Sequence, residues 1–70
     1  MKTFGQVLSE TMKAQGVTQN ALAERSGVYQ SYISKLLTGH VSDPTFAKAK
    51  SIIHALGMTL QEFSDLQDAD

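Results

Sequence analysis

The chain has 70 residues, 41% of them apolar, no cysteine and a formal net charge of −1. That length makes one small domain, which buries only roughly 60% of the surface its unfolded chain exposes. A disulfide framework and a cysteine-based metal site are excluded, the apolar share is too high for a disordered chain, and no apolar run approaches the roughly 18 residues of a membrane span.

The absence of cysteine fits a reducing, cytoplasmic compartment, and residues 1–5 hold no continuous apolar stretch of the kind a signal peptide needs. Charge is unevenly spread. Residues 1–40 carry a net +2 and residues 41–70 a net −3, with acids at Asp43, Glu62, Asp65, Asp68 and Asp70. Nucleic-acid binders often carry a basic surplus, because neutralised phosphates supply much of their affinity. An overall acidic chain can meet DNA only through a local surface.

Five helices and no strand fit the pattern. Helix one is predicted from about Phe4 to Gln15, with Phe4, Val7, Leu8, Thr11 and Met12 as one apolar stripe. Thr3 and Gln6 have the spacing of a capping box, and Gly16 supplies a left-handed stop. Helix two opens on Thr18 as N-cap and ends at Gly27. Val17 and Leu22 stand at staple positions around that cap, and Ala21 and Ala23 are small enough for a close helix crossing.

Helix three runs from about Tyr29 to Thr38 and ends at Gly39. Val28, Ile33, Leu36 and Leu37 form its inner face; Gln30, Ser31, Ser34 and Lys35 form its outer one. Its start is unusual, since Tyr29 stands where a Ser or Thr cap is expected; either Ser26 or Ser31 compensates, or Tyr29 is kept for another purpose. Residues 39–44 form a loop, and Asp43, Pro44 and Thr45 mark the start of helix four. Phe46, Ala49, Ile52, Ile53 and Leu56 are expected on its buried face, with Gly57 as its stop. Helix five begins at Thr59, which forms a second capping box with Glu62. Residues 67–70 form a polar tail expected to fray.

Two short helices joined by a tight turn at Gly27, the second with a polar outer face, have the form of a helix-turn-helix, whose second helix enters the DNA major groove. Thr18-Gln19, Leu22-Ala23, Gly27-Val28, Ile33, Leu36, Gly39, Pro44 and Leu56-Gly57 together resemble the Cro/repressor (lambda-repressor-like, XRE-type) helix-turn-helix family of phage and bacterial regulators. The resemblance covers about residues 4–66. It implies an all-α, compact five-helix domain over residues 1–70, with a helix-turn-helix core at about 18–38, that binds a double-stranded DNA operator as a transcriptional regulator.

Position by position, the resemblance places Tyr29, Gln30, Ser31 and Lys35 at base-reading sites. Gln19 falls at a phosphate contact that also braces the reading helix, and Thr38 and His40 lie where the following loop touches phosphate. Tyr32 is a further candidate for the backbone. The chemistry is suitable: Gln pairs with adenine through N6 and N7, and Lys donates to guanine O6 or N7. A helix N-terminus such as that at Gln19 favours an anion. An adenine and a guanine are therefore expected in each half-site.

The chain also departs from the family. An Arg in helix one and a Glu in helix three, paired in some members, are replaced here by Met12 and Leu37. Two apolar side chains can pack there without desolvating charge. The loop after helix three, often basic in the family, holds Asp43 and no Lys or Arg.

Two classes of function remain from the residues. One is a DNA-binding repressor acting as a homodimer through helix five, with Met58, Leu60 and Leu66 as the apolar contact. The other is a protein-interaction module on the same scaffold, such as an antitoxin or phage adaptor, which the acidic C-terminal half favours. No cofactor is expected. His40 and His54 are fourteen positions apart without cysteines, which is no metal-site pattern. Nothing gathers Ser, His and Asp around a cleft for catalysis.

Overall fold

The helical periodicity of the sequence becomes five helices in the computed structural model, which describes residues 1–69: α1 (Phe4–Gln15), α2 (Gln19–Ser26), α3 (Gln30–Thr38), α4 (Phe46–Ala55) and α5 (Leu60–Asp68). No strand occurs among the described residues. Side-chain caps set four of the five starts. The hydroxyls of Thr3, Thr18, Thr45 and Thr59 accept from the backbone N–H three residues on, and Thr3–Gln6 and Thr59–Glu62 form complete capping boxes. Each such cap stabilises by about 1 kcal/mol.

One core joins all five helices. Phe4, Val7, Leu8 and Met12 come from α1, Leu22 from α2, Ile33 and Leu36 from α3, Ile52 and Ile53 from α4, and Phe63 from α5, with Val28 and Leu56 from the adjoining turns. Leu8, Leu22, Ile33 and Ile52 are fully enclosed. α1 packs on α3 and α5, and α2 packs on α3 and α4. The Phe4 and Phe63 rings meet with centroids 4.7 Å apart and a 37° tilt, which fastens α5 to α1. Farther out, Gln15 Nε2 donates to the carbonyl of Leu56 at 2.8 Å, and Lys2 N–H donates to the carbonyl of Gln67 at 2.8 Å.

Two glycines are demanded by this packing for different reasons. Gly5 faces α3 so closely that a Cβ there would land on the carbonyl oxygen of Leu36. Only glycine lets α1 and α3 approach this far. Gly27 takes φ +73° in the α2–α3 turn, a conformation that an L side chain rarely adopts.

One sequence expectation changes. Phe46, assigned to the buried face of α4, is 72% exposed. Its direction around the helix is that of the core, but it is the first helical residue, about 10 Å along the axis from Ile53. Burial of the stripe begins one turn later, at Ala49, which packs against the core. α5 continues to Asp68, two residues into the segment expected to fray, and the Lys2–Gln67 backbone bond lies there; Asp70 lies outside the described residues. Of the three side chains assigned to a dimer contact, Met58 and Leu60 pack partly against the core, while Leu66 is exposed.

Candidate nucleic-acid interface

The α2–α3 turn positions the surface. Ser26 Oγ accepts from Val28 N–H at 3.2 Å and tightens the turn, so Val28 is tucked into the core and Tyr29 is thrown outward, 84% exposed. Tyr29 is the N-cap of α3 and makes no side-chain cap bond. Its carbonyl accepts from Tyr32 N–H at 3.0 Å and Ile33 N–H at 3.2 Å, which starts the helix. Ser26 thus compensates in the turn, not at the first helical amides.

With Ile33 and Leu36 inside the core, the opposite side of α3 faces outward. Gln30, Ser31, Lys35 and Thr38 are exposed on it and Ser34 is half-buried. On one flank, Gln30 Nε2 donates to Gln19 Oε1 at 3.3 Å. This couples the first turn of α3 to the first turn of α2. The cleft on that flank is lined by Lys13, Thr18, Gln19, Met12 and Leu37. The Met12 and Leu37 positions thus share a cleft, with no charge between them to desolvate.

On the other flank a groove runs between α3 and α4, lined by Tyr29, Tyr32, Lys35, Lys48 and Ser51 among others. The Lys48 ammonium lies over the Tyr32 ring, 4.2 Å from its centroid. At a site this open such a contact stabilises by about 0.5–1 kcal/mol. Sequence reasoning missed Lys48, because the contact spans sixteen residues and depends on how α4 lies beside α3.

At the C-terminal end of α3, the Thr38 hydroxyl donates to the carbonyl of Ser34 at 3.0 Å, with a second carbonyl, that of Lys35, at 3.3 Å. Its oxygen lies 2.8 Å from His40 Nδ1. Thr38 and His40 are therefore brought together, at the opposite end of α3 from Gln19 and Gln30.

All eight sequence-derived contact residues lie on or beside α3: Tyr29, Gln30, Ser31, Tyr32, Lys35 and Thr38 on the helix or its cap, Gln19 at its N-terminal flank and His40 just beyond its end. Among the described residues, no group of three or more His, Asp or Glu side chains could hold a metal ion, and no helix is long and apolar enough to cross a membrane.

Comparison with known families gives a match to a helix-turn-helix family model over residues 8–63, from the middle of α1 to Phe63 of α5. No curated protein and no solved structure matches the chain. The matched span covers most of the chain and includes the whole α2–turn–α3 unit. The chain therefore belongs to the helix-turn-helix family of DNA-binding regulators of the Cro/repressor (XRE) type.

Proposed function

We propose that the protein is a sequence-specific transcriptional repressor that lays α3 in the major groove of an operator. One observation carries this reading: the outward side of α3 presents Gln30, Ser31 and Lys35, with Gln30 already tied to Gln19 at the start of α2. Gln30 has two amide protons and an acceptor oxygen. One proton serves Gln19; the other, with Oε1, is what bidentate pairing to adenine needs. Lys35, about one and a half helical turns on, reaches a neighbouring base pair and donates to guanine. Gln19, Tyr32, Thr38 and His40 hold the backbone, and Tyr29 lays its ring against a thymine methyl group.

A single α3 reads only a few base pairs. A two-fold dimer presents two such helices about 34 Å apart, one turn of DNA. The exposed Leu66, with the edges of Met58 and Leu60, supplies the apolar contact between copies. This is a small interface, so dimer formation is weak and is completed on the operator. With an operator on a bacterial or phage genome, the protein works in the cytoplasm, nucleoid-associated when bound to DNA.

The test uses half-sites recovered from a random duplex library, arranged as an inverted repeat one turn apart and again with five base pairs inserted. The expected result is binding at least about tenfold tighter to the first, since the insertion turns one half-site to the opposite face of the duplex. Equal affinity for both would remove the dimer. A folded protein that binds neither duplex would remove the operator reading and leave the scaffold as a protein-interaction module.

A further inference from the structure

The groove between α3 and α4 has a volume of about 390 Å³ and combines two lysines, two tyrosines and three serines. Among the described residues, no carboxylate lines it. Lys48 projects from α4, and its ammonium is held over Tyr32 of α3. Elsewhere on the surface Lys2 is neutralised by Glu10 at 3.0 Å. A ring face, unlike a carboxylate, orients an ammonium without cancelling its charge.

We propose that Lys48, positioned by the Tyr32 ring, contacts a phosphate of the DNA strand on the flank of α3 opposite Gln19. The inference rests on the reading that α3 enters the major groove. A helix with its side chains is about as wide as that groove, so a sugar–phosphate strand runs along each flank. One flank carries Gln19 and Lys13; the other is this groove. The loop that follows α3, residues 39–45, contains no Lys or Arg to meet that second strand. Lys48 supplies the missing cation from α4 instead. Lysine suits this role as a point charge on a flexible stem. Stacking on Tyr32 removes part of the rotamer freedom that binding would otherwise have to remove. Lys50, two residues along, lies on the other side of α4, away from the groove.

The test is the slope of log K against log salt concentration for wild type, Lys48→Gln, Lys48→Arg and Lys50→Gln. Each is measured on the duplex selected from a random library and on a scrambled one. A neutralised phosphate contributes about 0.9 to the slope. Lys48→Gln is expected to make the slope shallower by about 0.9 on both duplexes while preserving the preference between them. Lys48→Arg retains the wild-type slope, and so does Lys50→Gln. A Lys48→Gln slope equal to that of a wild type that binds DNA overturns this inference alone, and so does an equal loss in Lys50→Gln. A wild type with no salt-dependent duplex binding overturns the major-groove reading and this inference together.

Discussion

Gln30 donates its side-chain amide to Gln19 across 3.3 Å, joining the first turns of α2 and α3 at the surface. The bond is long and exposed, so it adds little to stability. Its effect is on order: it limits the rotamers of two flexible side chains before DNA arrives, which lowers the entropy lost on binding. Gln19→Ala should therefore weaken operator binding and also relax the preference at the base read by Gln30. A double-mutant cycle between Gln19 and Gln30 should give a coupling energy of about 0.5 kcal/mol or more. Additive losses would show that the two amides act separately.

The Tyr29 position sacrifices helix capping. Its side chain makes no cap bond and is 84% exposed. Tyr29→Ser should supply the missing cap, stabilise the fold by up to about 1 kcal/mol and raise the thermal midpoint by at most about 4–8 °C. The same variant should bind its operator more weakly. Calorimetry and operator titration on one preparation check both signs. A variant more stable and equally tight would free Tyr29 from any role in recognition.

Close approach of α1 to α3 makes Gly5 intolerant of any side chain. Gly5→Ala raises intrinsic helix propensity, yet its methyl group would meet the carbonyl oxygen of Leu36. The steric term should dominate, with a loss of about 1–3 kcal/mol from forced separation of the helices. Denaturant unfolding measures it; an unchanged midpoint would mean that α1 shifts without loss.

The two phenylalanines of the C-terminal half should behave oppositely. Phe63 is 1% exposed against Phe4, and Phe46 is 72% exposed. Phe63→Ala should lose about 3–5 kcal/mol, a large share of the total stability of a domain this small. Phe46→Ser should change stability by no more than about 0.5 kcal/mol. Thermal melts of the two variants side by side settle it.

Phe46 also shows what the sequence carries and what it does not. Periodicity reports direction around a helix, and the stripe from Ala49 to Leu56 does face inward. It does not report how far the partner helices reach along the axis, so the first residue of α4 was assigned to the core and lies outside it. Caps and stops are local, which is why Thr3–Gln6, Thr18, Thr59–Glu62 and Gly27 could be placed from the residues alone. The need for glycine at position 5 and the pairing of Lys48 with Tyr32 arise between helices distant in sequence, and no local pattern announces either. The outer side of α3 was legible because Ile33 and Leu36 fix which way that helix turns.

Base reading is assigned to the outward side of α3. Selection of bound duplexes from a random library at moderate salt, with wild type beside the double variant Gln30→Ala/Lys35→Ala, tests it most directly. Enrichment of an inverted repeat with an adenine and a guanine in each half-site is expected, lost in the double variant while its helical content is retained. The same motif enriched by both proteins, or no motif enriched by a folded wild type, would contradict it.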